Sequence, residues 1–91
     1  MIITKRDIES FLKKECFFQN GTICLDEIQV ECFIKENALH IVAPKLSGLF
    51  QFYARQKKHV SCSDDTLIFK HPLVKFEKVE VHEDHMEITF K

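Results

Sequence analysis

The sequence has no tryptophan, one tyrosine, two glycines and two prolines among its 91 residues. So little glycine leaves no phosphate-cradling loop, and G-x-S-x-G, H-E-x-x-H and C-x-x-C are all absent. Scarce glycine and proline also argue against disorder or a fibrous repeat. Neither charge sign dominates: 13 basic and 14 acidic residues give a net charge of -1. Divided after Lys45, the chain carries six basic and seven acidic residues in its first part and seven of each in its second. General nucleic-acid binding by phosphate neutralisation draws little support from that balance. No apolar run approaches the roughly 18 residues of a membrane-spanning helix. Met1-Ile2-Ile3 runs directly into Thr4-Lys5-Arg6-Asp7, which is not the order of a secretory signal, so the expected location is cytoplasmic.

What is present is a hydrophobic fraction of 45%, a charged fraction of 30% and nine phenylalanines, the make-up of a soluble globular domain. Ninety-one residues hide only about 60% of the extended chain's surface, which suits one modest core and a single domain over residues 1–91. Cys16, Cys24, Cys32 and Cys62 lack a close pair, so in a reducing compartment they are expected as free, mostly core thiols. Asn20-Gly21-Thr22 matches the glycosylation triplet but reads more simply as a turn.

Thr4 and Asp7 have the spacing of a capping box, and Ile8, Phe11 and Leu12 follow at helical spacing, predicting a helix from about 5 to 15. Three turns are marginal alone, so that apolar stripe needs a sheet to cover it. After Asn20-Gly21 the period changes to two. A short strand is expected at Thr22 to Leu25, and Ile28, Val30, Cys32 and Ile34 then alternate with polar positions. A turn at Glu36-Asn37 sets Ile34 opposite Leu39, Cys32 opposite Ile41 and Val30 opposite Ala43. Turns at Asp64-Asp65 and Glu83-Asp84 repeat the pattern, pairing Cys62 with Leu67 and Val60 with Phe69, then Val81 with Met86 and Val79 with Ile88. A change of parity near Glu77-Lys78 predicts a bulge. Residues 46 to 58 satisfy both periods. Gly48 and the aromatic run Phe50-Gln51-Phe52-Tyr53 tip the balance toward a strand, against Pro44 and Gln56-Lys57-Lys58, which suit a helix. The fold class is α+β: an N-terminal helix packed on a curved, mainly antiparallel β-meander of five to seven strands.

The chemistry-bearing residues are weighed against this frame. Cys62, His59 and His71 form the closest mixed zinc-type group, but they lack paired knuckles, and no metal ligand or cofactor is expected from them. His82 and His85 flank the last turn as solvated histidines, and Glu80 opposite Glu87 is unfavourable unless solvent or a cation separates the charges. No cysteine has a local partner to stabilise its thiolate, which leaves a Cys/His-dependent enzyme as a minor alternative. Arg55-Gln56-Lys57-Lys58-His59, with Phe50, Phe52 and Tyr53 upstream, offers the alternative of nucleic-acid contact. Many phenylalanines on a bent sheet could also enclose an amphiphile, although periodicity carries no information about volume.

The first choice is a small protein-interaction or assembly module. Phe33, Val42 and Ile68 depart from otherwise polar faces and supply apolar contact, with His40, Arg55 and Lys57 as a more polar rim. The expected partner is another protein chain or a second copy.

Overall fold

In the computed structural model, which describes residues 1–13, 15–19, 22–25 and 28–91, Thr4 closes a first short strand, β1 (Ile2–Thr4), and caps the helix α1 (Lys5–Leu12). Its hydroxyl accepts from the Asp7 N–H at 3.2 Å, while the Asp7 carboxylate accepts from the Thr4 N–H at 3.0 Å. The capping box expected from the spacing is therefore formed. The helix stops earlier than expected, because Lys13 turns left-handed at φ 59°. The Leu12 side chain and the expected Asn20-Gly21 turn lie outside the described residues.

The chain continues through β2 (Phe17–Gln19), β3 (Thr22–Leu25), β4 (Ile28–Lys35), β5 (Ala38–Val42), α2 (Ser47–Gln56), β6 (Val60–Ser63), β7 (Thr66–Phe69), β8 (Phe76–Val81) and β9 (His85–Phe90). All the paired strands run antiparallel. They form a six-stranded sheet in the order β2-β3-β4-β5-β7-β6 and a three-stranded sheet in the order β1-β9-β8. Two sheets replace the single meander because β1, before the helix, pairs with β9 and gives the last hairpin a partner of its own. Triplets as short as Ile2–Thr4 and Phe17–Gln19 carry too little alternation to announce themselves as strands.

The three hairpins have the expected registers: Ile34 opposite Leu39 and Cys32 opposite Ile41, Cys62 opposite Leu67 and Val60 opposite Phe69, Val81 opposite Met86 and Val79 opposite Ile88. Alternation fixed them, since a slip of one residue would expose every apolar side chain. Glu36 and Asn37 both take positive φ, 54° and 66°, as a two-residue turn of matching twist requires. The register of the last hairpin shifts between Phe76 and Lys78, where the bulge was expected.

The leaning toward a strand at 46–58 is corrected, since Ser47–Gln56 is helical. Leu46, Leu49, Phe50, Tyr53 and Ala54 recur at three- and four-residue steps and all meet the core. Phe50 is only 1% exposed, whereas Phe52, on the opposite side of the helix, is 60% exposed. The aromatic run is thus shared between two helical faces. Gly48 tolerates this position, with open space where a side chain would begin.

One buried cluster joins Ile8 of α1, Phe50 of α2, Ile23, Val30, Leu39 and Leu67 of the large sheet, and Met86 and Ile88 of the small one. Both sheets and both helices therefore turn their apolar sides to a common interior. Phe11 meets Tyr53 edge-on at 4.7 Å, and Tyr53 lies 6.0 Å from Phe69, tying the helices to β7. No helix among the described residues is long and apolar enough to cross a membrane.

Candidate functional site

The six-stranded sheet has an inner face, carrying Val30, Leu39 and Leu67, and an outer face on the other parity of the same strands. Cross-strand pairing runs Ser61, Ile68, His40 and Phe33 into one outer row, and Ser63, Thr66, Val42 and Glu31 into the next. Phe33 and His40 stack with centroids 5.1 Å apart and planes within 5°. Phe33 remains 40% exposed. Phe33, Val42, Ile68 and His40, singled out from parity alone, thus lie side by side on two adjacent rows. Neither helix covers them, since Phe11, Phe50 and Tyr53 hold both helices to the inner side.

Arg55 and Lys57 stand on a different element from that patch. Arg55 is in the last turn of α2 and Lys57 immediately follows it, so both belong to the helix that packs on the inner side. The basic segment loses its aromatic platform for the same reason: Phe50 is buried, Tyr53 is half-buried against Phe11 and Phe69, and Phe52 alone is freely exposed.

The four thiols are free, and two of them are poorly suited to nucleophilic chemistry. Burial pushes the Cys32 thiol up to about 12. Cys16 is buried and its thiol is also raised, first by burial and then by the Glu9 carboxylate. Cys62 directs its sulfur to the Asp64 carbonyl at 3.6 Å. The His59 and His71 rings stand 4.4 Å apart, and the two do not form a three-donor group with Cys62 among the described residues.

Sequence reasoning could not find the apolar cleft. About 430 Å³ lies between α1, α2 and the two sheets, lined by Ile3, Phe11, Val30, Ile41, Tyr53 and Met86 among others, with exposed Met1 and Ile2 and the charged residue Asp7 also bordering it. Sealed and dry, such a volume would cost on the order of 10 kcal/mol at about 24 cal/mol per Å³. That matches the whole stability of an ordinary domain, about 5–15 kcal/mol.

A third constellation sits on the small sheet. His82, His85 and Glu87 each present a donor atom within 4.8 Å of the others, the one such group among the described residues. The two imidazoles stack at 4.6 Å and 25°. His82 Nε2 is 3.6 Å from Glu87 Oε2 and 3.8 Å from Glu80 Oε2, with Glu80 and Glu87 directly opposite across the strands. Lys78 Nζ occupies the other oxygen of Glu80 at 2.8 Å and holds that carboxyl below its usual range. Asp84 Oδ1 is 2.7 Å from His85 Nδ1, and this contact lowers the Asp84 carboxyl. Comparison with protein-family models, curated proteins and solved structures finds no match.

Proposed function

We propose that this chain is a small assembly module that self-associates through the outer face of its six-stranded sheet, in a cytoplasmic setting. The observation that carries the reading is the stacked Phe33–His40 pair, set beside Ile68 and Val42 on a face that neither helix covers. In this reading the N-terminal helix packed on a curved sheet closes the inner side, and the outer side does the work.

The outward positions of β4 favour a second copy as the partner. They read Glu31, Phe33 and Lys35. A two-fold axis crossing β4 at Phe33 sets ring against ring and places Glu31 of one copy opposite Lys35 of the other, twice over. This is the self-complementarity that an isologous contact needs. Fully desolvated aromatics at the centre carry such interfaces, with charged pairs at the rim setting register.

Size-exclusion chromatography with light scattering across a concentration series tests it. The expected mass rises from 10.7 kDa toward twice that value with concentration. Phe33→Glu holds the protein at monomer mass. Glu31→Lys weakens association, and combining it with Lys35→Glu restores it. A wild-type mass fixed at monomer through the millimolar range overturns the proposal.

The cleft supports a second reading, a carrier of an uncharged or cationic amphiphile. Its lining offers hydrocarbon, and the Asp7 carboxylate beside it disfavours a fatty-acid head group. Nile red should brighten on binding and be displaced by dodecyltrimethylammonium below its micelle concentration, but not by dodecanoate. No saturable Nile red signal, or displacement by dodecanoate alone, removes this reading.

A further inference from the structure

The turn of the last hairpin brings two imidazoles and a carboxylate together, and we propose that His82, His85 and Glu87 form a site for a divalent late transition metal, zinc first. Two nitrogens and one carboxylate oxygen are the donor set of an open tetrahedral zinc site, with the fourth position left to water. Tetrahedral donors at zinc distances stand about 3.4 Å apart. His82 Nε2 and Glu87 Oε2, at 3.6 Å, are already at nearly that spacing. His85 completes the set within 4.8 Å, a closure that side-chain rotation can supply.

Two independent features favour a cation here. Glu80 and Glu87 face each other across the hairpin, like charges that the Lys78 ammonium on Glu80 offsets from one side and that a cation beside Glu87 would offset from the other. Lys78 satisfies Glu80, which leaves the Glu87 carboxylate beside the His82 ring. Asp84 engages Nδ1 of His85 at 2.7 Å, which leaves Nε2 as the nitrogen of that ring to serve as a donor. A carboxylate behind a ligating imidazole is the usual way a metal-bound histidine is oriented. The backbone holds the frame, since the His82 N–H donates to the His85 carbonyl at 2.8 Å, across the turn that separates the ligands.

The donor chemistry selects the ion class. Imidazole suits zinc, copper and nickel, whereas magnesium and calcium require a shell of oxygens that this hairpin does not provide. The expectation from sequence was of solvated histidines flanking a turn; the stacking of His82 on His85 and the position of Glu87 bring the three donors together.

Calorimetric titration of untagged protein with zinc chloride, with magnesium and calcium as controls, tests the site. One zinc per chain is expected, with no saturable heat from the other two ions. His82→Ala, His85→Ala and Glu87→Gln should each weaken zinc at least 10-fold, while His59→Ala and His71→Ala leave it unchanged. Asp84→Asn, acting through His85, should cost about 10-fold and Asp84→Glu should recover most of it. Circular dichroism of each metal-free variant shows whether it is folded. X-ray absorption at the zinc edge should show two imidazole ligands. The absence of one-to-one zinc binding, or binding that survives the folded His82→Ala, His85→Ala double variant, overturns the proposal.

Discussion

The β4–β5 and β8–β9 hairpins are built to one plan on their inner sides and to opposite plans on their outer sides. Inward, Ile34 faces Leu39 in the first and Val79 faces Ile88 in the second, and Leu39 and Ile88 both reach the common buried cluster. Outward, each carries histidine. In the first, His40 lies flat against Phe33, with Ile68 on the neighbouring strand. In the second, His82 lies against another histidine and between two carboxylates. The same side chain thus serves as an aromatic surface in one place and as a nitrogen donor in the other, and its cross-strand neighbour decides which.

The sharpest way to break this comparison is to find the inner faces unequal. Leu39→Ala and Ile88→Ala should each cost about 2–5 kcal/mol in urea unfolding, because both side chains are buried in the same cluster. A large cost for one and almost none for the other would mean that the small sheet is not part of the common core. The next effect separates the outer faces. Phe33→Glu should weaken self-association at least 10-fold, about 1.4 kcal/mol, and leave zinc binding intact. His82→Ala should do the converse, and light scattering and calorimetry on both variants check it.

A smaller effect lies where β1 meets α1. Thr4→Ala removes the hydroxyl of the capping box and should cost about 0.5–2 kcal/mol by thermal unfolding. The same cap sets a pH dependence. The Asp7 carboxyl is held below its usual range, first by the Thr4 backbone N–H and then by the Thr4 side chain. A depressed folded value means that the contribution is complete above the unfolded value of about 3.9 and is lost as pH falls through the folded one. The stability gap between wild type and Asp7→Asn should therefore be level above about pH 5 and shrink below about pH 4. The smallest effect is Glu87→Gln, which removes one of two facing carboxylates and should stabilise the metal-free protein by about 0.2–1 kcal/mol.

The outer rows were legible because strand parity alone puts Phe33, His40, Val42 and Ile68 on one side. The element that carries Arg55 was misread because residues 46 to 58 contain apolar groups that satisfy both periods, and the packing of Phe50 and Tyr53 into the core decides for a helix. The last hairpin was half legible: its register and its facing glutamates follow from alternation, but the imidazole stack depends on side-chain torsions. The cleft could not be read, because volume arises from how two sheets and two helices fail to fill a space, and no single strand records it.

Met1 and Ile88 exchange backbone hydrogen bonds at 2.8 Å in both directions, across a separation of 87 residues. In time rather than space, that contact is a delay. At a synthesis rate of about 5–20 residues per second, β1 emerges several seconds before the strand that receives it exists. Through that interval Ile2 and Ile3 have no β9 to join, and Ile8 of the helix behind them lacks the Met86 and Ile88 part of its cluster. The strand that precedes the helix is among the last to be paired. Refolding from denaturant, where both ends are present from the start, removes this wait and keeps only the slowness of closing so long a loop.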